Sequence, residues 1–162
     1  AMSTDPYKSP DRPSHIPWPP ILLGAGVIAS IALGYLAPLT WPGTNDFAAR
    51  TGGVAIGAVG IALLVWAIVT LRRHGTTVRP DVGVAALVTD GPYWRFRNPI
   101  YLADTMILLG IAELTKNVWF AIAAAAFAVF VTWLAILPEE RHLERRFGKA
   151  YLDYKAKSRR WI

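Results

Sequence analysis

The sequence predicts an all-α, polytopic membrane protein with about four transmembrane helices and a C-terminal amphipathic helix. Three observations predict it. Ile16 to Asn45, Thr51 to Leu71 and Asn117 to Leu137 are runs of 30, 21 and 21 residues without Asp, Glu, Lys or Arg, and a span needs about 20 predominantly apolar residues. A chain of 162 residues is too small to bury three such segments in a soluble core, where helices keep a polar face. The 17 Lys and Arg outnumber the 11 Asp and Glu, for a net charge of +6, and they are not spread evenly.

The elements follow in order. Residues 1–19 read as an extended, proline-rich arm, with Ala1 ahead of Met2 taken as an expression scar. The arm is a poor signal peptide, because its basic residues lie far from a long apolar run. Spans are expected near 20–39, 53–72, 99–114 and 117–137. The third is apolar except for Asp104 and Glu113. Gly53-x-x-x-Gly57 on the second lets another helix approach closely. Thr115 and Lys116 join the third and fourth spans as an antiparallel hairpin. The arm, the loop between spans two and three, and the tail share one side, which holds 15 of the 17 basic residues. That side is expected to be cytoplasmic, in a bacterial inner membrane.

Composition excludes several classes. Without cysteine there is no disulfide scaffold, thiolate metal site, thiol nucleophile or iron–sulfur cluster. A hydrophobic fraction of 54% excludes disorder. The flanking positions of the charges make a nucleic-acid partner unnecessary, and three scattered histidines suggest no metal site. His74 and His142 read as surface residues. Gly24-Ala-Gly26-Val-Ile-Ala29 fits a dinucleotide fingerprint, but it lacks the preceding strand and βαβ unit the fingerprint requires.

Chemistry concentrates in the loop 73–98 and the tail 139–157. Unstructured loops of this length are usually functional. Gly91-Pro92 marks a turn, Pro99 suits the first turn of a helix, and Asn98 is a good N-cap. The loop thus delivers Arg97, Asn98 and Tyr101 to the mouth of the third span, where free N–H groups suit an anionic ligand. In the tail, Leu143, Phe147, Tyr151 and Tyr154 form one helical face among basic residues, suited to an anionic membrane surface. Gly148 is expected to weaken that helix without ending it. Glu139 and Glu140 stand in its first turn, where favourable interaction with the helix dipole is the plain alternative to a functional role.

Two blocks carry a resemblance. Leu87-Val88-x-x-Gly91-Pro92-Tyr93-x-x-x-Arg97-Asn98-Pro99-x-Tyr101 and Glu139-Glu140-x-x-Leu143-x-x-x-Phe147-Gly148-x-x-Tyr151-x-x-Tyr154 together resemble the isoprenylcysteine carboxyl methyltransferase and phospholipid methyltransferase superfamily, over roughly residues 75–160. The resemblance implies a single membrane methyltransferase domain over residues 20–162. It would use S-adenosylmethionine and act on a lipophilic acceptor from the bilayer. It implies a cofactor pocket from Leu87, Val88, Tyr93, Arg97, Asn98, Pro99, Ile100, Tyr101, Glu139 and Glu140. The Glu pair would meet the cofactor's amino acid moiety, and Arg97 would suit its carboxylate. Asn98 stands where eukaryotic isoprenylcysteine enzymes have His. Ala103 stands where Gly often follows the Tyr. Ala135 falls where those eukaryotic enzymes place a substrate-binding Arg.

Asp104 and Arg97 are the candidate catalytic residues. Asp104 lies one turn inside the third span, on the same face as Tyr101, and intramembrane acids are functional candidates by default. It would bind a cationic or hydroxyl-bearing acceptor or act as a base. The plain alternative is a partner for Arg95 or Arg97, or a cap. Glu113 reads as interfacial, beside Lys116. Other readings of the whole chain are a phospholipid or other amine N-methyltransferase, an NADPH-dependent sterol-reductase-like enzyme and a small four-helix transporter.

Overall fold

The computed structural model describes residues 16–76 and 86–162. Most of the N-terminal arm, and the loop segment with Arg79, lie outside the described residues. The helices are α1 (Trp18–Leu36), α2 (Phe47–Arg73), α3 (Pro99–Thr115), α4 (Val118–Val131), α5 (Leu137–Phe147) and α6 (Lys149–Lys157). A short 3-10 turn covers Gly91–Trp94 and a π-helical turn covers Thr132–Ile136.

α1 begins with Pro19 and Pro20 in its first turn, where the missing N–H groups cost nothing. It ends at Leu36 rather than at 39, because Ala37 precedes Pro38 and the residue before a proline is pushed out of the helical region. α2 starts six residues earlier than expected. The Asp46 side chain accepts from the Ala49 N–H at 2.8 Å and caps it there. Arg72 and Arg73 close its last turn, complementing the helix dipole.

Three helical segments are long and apolar enough to cross a membrane: Trp18–Leu36, Phe47–Arg73 and Val118–Phe147. α3 is the fourth expected span. Its 17 residues give roughly 25 Å, near the lower limit for spanning. Large apolar side chains cover the outside, including Ile28 at 70% exposure, Tyr35 at 86% and Trp133 at 64%. That exterior suits lipid rather than water.

Glycines set the α2–α3 contact. A Cβ on Gly110 would lie 2.9 Å from the Gly57 backbone, one on Gly53 would strike Glu113, and one on Gly60 would come 3.1 Å from the Ala103 carbonyl. The numbers run in opposite directions, so the helices are antiparallel, packed as the Gly53-x-x-x-Gly57 pattern predicts. α1 runs antiparallel to α4. Ser30 Oγ donates to the Trp119 carbonyl, and Asn117 Nδ2 donates to the Ser30 carbonyl at 2.9 Å. The spatial order is therefore α1, α4, α3, α2. Lys116 makes the tight α3–α4 turn in the left-handed region (φ 55°) and pairs with Glu113.

Two tail expectations are corrected. The tail is not separate from the fourth span, because one helical segment runs from Val118 to Phe147. The π turn lies just ahead of Pro138, and the Leu137 N–H donates five residues back to Thr132. Such a turn accommodates a proline that cannot supply the usual bond. Nor does the helix continue through Gly148. That residue takes φ 54° and ψ −124°, a conformation glycine adopts without a Cβ penalty, and α6 starts afresh. Across the break Tyr151 is fully buried and Tyr154 bonds the loop, so this part of the apolar stripe faces the protein rather than the membrane surface expected for it. His142 is also buried, not on the surface.

Candidate active site

The site lies at the end of the bundle where α2 stops and α3 starts. The loop reaches it through Gly91, which has φ +54° and sits so close to α2 that a Cβ would meet Thr70 Oγ1 at 2.6 Å. Only glycine satisfies both demands. The turn that follows buries Tyr93 in a small core with Val88 and Ala67, flanked by Leu71 and Ile100. Leu87 beside it is half-buried. Burial and the charge of Glu139 push the Tyr93 hydroxyl well above the ordinary tyrosine range. Where the loop leaves α2, His74 Nε2 lies 3.3 Å from Asp90.

Arg97 is the hub of the next layer. Its side chain is only 10% exposed. Its Nε donates to Glu140 Oε1 at 3.3 Å, and its Nη1 donates to the carbonyls of Ser158 at 2.7 Å and Lys155 at 3.1 Å. Glu140 is buried and also accepts twice from Arg160, at 3.0 and 2.8 Å. Hydrogen bonds and charge from Glu140 hold the Arg160 guanidinium above its ordinary range.

The segment after α6 laces this layer shut. Arg159 donates its N–H to the Arg95 carbonyl at 2.8 Å, and its own carbonyl accepts from the Arg97 N–H at 2.7 Å. Tyr154 donates its hydroxyl to the Tyr93 carbonyl at 2.6 Å, and burial pushes that hydroxyl up to about 12. Trp161 Nε1 donates to Thr132 Oγ1 in the π turn. Asn98 occupies the N-cap position of α3, but its side chain does not cap. It donates instead to the Arg160 carbonyl at 3.2 Å, because the tail offers an acceptor at that point.

Two carboxylates remain. Among the described residues, neither Glu139 nor Asp104 makes a hydrogen bond or ion pair. Arg97, one suggested partner of Asp104, is turned toward the tail. Both acids act electrostatically on the buried Tyr101, and Glu139 also acts on Tyr93. Pro99 is buried at the start of α3 and Ile100 packs against both hydrophobic clusters. The residues thus fall into two groups. Glu140, Arg97 and Asn98 tie the tail to α3, whereas Glu139 and Asp104, both within electrostatic range of the buried Tyr101, form an acidic cluster with unused acceptor capacity. Such a cluster suits a cation.

Sequence reasoning missed Ser158, Arg160 and Trp161, which together bond Arg97, Glu140 and Thr132. The basic residues of the tail read as topology markers and as a membrane-facing surface, not as partners for the Glu pair. The available signal was the Glu139-Glu140 pair itself, since a buried carboxylate requires a cationic partner.

A family model described as phospholipid methyltransferase matches residues 48–150, from the start of α2 to the first residues of α6. The chain belongs to the phospholipid methyltransferase family. Membership makes it a membrane methyltransferase, in the superfamily that the two blocks resemble. No curated protein and no solved structure matches the chain. The family match takes in Tyr93, Tyr101, Asp104, Glu139 and Glu140. It stops short of Tyr154 to Trp161, which close the site in this chain.

Proposed function

We propose that this member of the phospholipid methyltransferase family transfers a methyl group from S-adenosylmethionine to a lipophilic acceptor that enters from the bilayer. The observation that carries the reading is the split fate of the Glu pair: Glu140 is saturated by Arg97 and Arg160, while Glu139 is unpaired beside Tyr93 and Tyr101. Glu139 is then the carboxylate for the cofactor's α-ammonium, and Glu140 is a positioning residue. The donor set fits the group, because a carboxylate complements the ammonium and tyrosine faces favour a sulfonium.

Bound S-adenosylmethionine supplies an activated methyl group on sulfur. The protein's task is to hold the donor and acceptor in line and to exclude water. Tyr93, Pro99 and Tyr101 are buried for the second purpose. Asp104, one turn deeper in α3, is placed to meet a polar acceptor headgroup, either as a hydrogen-bond acceptor or as the base that frees a nucleophile. The site is on the cytoplasmic side, as the basic residues direct.

The test is a binding titration of the purified protein with S-adenosylmethionine, its demethylated product and NADPH. Affinity for the first two and none for NADPH is expected. The reverse pattern would support a reductase, and no affinity for any would leave the transporter reading. Glu139→Gln should weaken cofactor binding at least tenfold, whereas Glu113→Gln should leave it unchanged. Equal effects would remove Glu139 from the site. Labelled cofactor incubated with a lipid extract would then identify the methylated species.

A further inference from the structure

A second feature at this end of the bundle has the opposite charge. A groove of about 570 Å³ opens beside the laced segment, lined by Arg95, Lys157, Arg159, Arg160, Trp161 and Ile162 among others. Arg160 pairs with Glu140, a carboxylate it shares with Arg97. Among the described residues, the side chains of Arg95, Lys157 and Arg159 meet no carboxylate. Three uncompensated cations around one groove repel each other unless an anion sits between them. The walls are also preorganised. Arg95 and Arg159 are joined through their backbones by the Phe96–Arg159 bridge, so their side chains project from a fixed frame.

The remaining lining indicates what kind of anion it is. Trp161 bonds Thr132, near the end expected for the fourth span, and tryptophan is at home at such a boundary. Ile162 beside it is 82% exposed. Cations above an apolar edge match a phosphate with acyl chains attached. We propose that this groove binds the phosphate of an anionic phospholipid from the adjacent leaflet, with its chains lying along Trp161 and Ile162. None of the groove's lining residues is among Glu139, Asp104, Tyr93 and Tyr101.

The experiment uses the full chain in nanodiscs of mixed phosphatidylglycerol and phosphatidylcholine, with retained lipids counted by native mass spectrometry. The wild-type protein should retain phosphatidylglycerol in preference. Lys157→Gln and Arg159→Gln should each reduce that preference about fivefold, the equivalent of about 1 kcal/mol per cation at a membrane surface. Lys149→Gln, a basic site outside the groove that already pairs with Asp153, should leave it unchanged. Near-ultraviolet circular dichroism checks that each variant is folded. An equal loss with Lys149→Gln would show diffuse charge attraction and overturn the proposal. So would an absent preference, or binding of inorganic phosphate alone with no selection among lipids.

Discussion

Removing the Glu140 carboxylate should detach the C-terminal segment while leaving the spans in place. Glu140 is 5% exposed and the Arg97 side chain 10%, so little water is available to replace the lost bonds. In Glu140→Gln, Arg97 loses its only ionic partner among the described residues, and Arg160 loses a two-pronged one. Breaking a buried pair from one side costs about 3–5 kcal/mol. Arg97 keeps two backbone carbonyls, which places the cost near the lower end, about 3 kcal/mol. For a chain of this length that corresponds to a fall in Tm of about 6–12 °C. Thermal unfolding in detergent reads the global loss, and limited trypsin digestion at Lys155 to Arg160 reads the local one. The double variant with Arg97→Gln should cost less than the sum of the two singles, because the buried charge leaves with its partner. If Glu140→Gln matched the exposed Asp153→Asn in both assays, the Glu140 clamp would carry no weight.

Three further outcomes are expected. Gly91→Ala forces a Cβ into Thr70 at a positive φ and should cost more than the ~1 kcal/mol usual for such a backbone change, with loss of cofactor binding measured by titration. Gly110→Leu should separate α2 from α3, since even its Cβ would lie 2.9 Å from the Gly57 backbone; a drop in Tm larger than that of Gly24→Leu, whose site is open, checks this. Because the chain has no cysteine, single cysteines at Lys149 and Asn45 can be labelled in sealed, oriented vesicles. Only the first should react from the cytoplasmic side, and the reverse would invert the topology.

The spans were legible because a bilayer imposes a length, and a charge-free run of that length has few other uses. Gly53 and Gly57 were legible for a similar reason, since close helix approach needs a missing side chain. The break at Gly148 was not. Glycine permits a positive φ without requiring it, and contacts formed further along, such as the Tyr154 bond to the Tyr93 carbonyl, select it. The π turn at Thr132–Ile136 has one signal in the sequence, Pro138, but a proline there fits a kink or a fresh helix start equally well. Asn98 was placed at the head of α3 correctly, but its side-chain partner lies 62 residues away. The same distance problem hid Arg160. Its charge was visible, but local sequence does not show that its partner is Glu140 rather than solvent.

The order of helices in space bears on how the chain is assembled. α1 is made first but packs against α4. The residue that grips it, Asn117, follows Ser30 by 87 positions. During insertion α1 therefore waits in lipid without its neighbour. Ser30 is equipped for that wait, because its hydroxyl also donates within its own helix to the Gly26 carbonyl at 2.7 Å. A polar group that satisfies itself locally can sit in hydrocarbon, and its single proton is shared with the Trp119 carbonyl, at 3.1 Å, once the hairpin arrives.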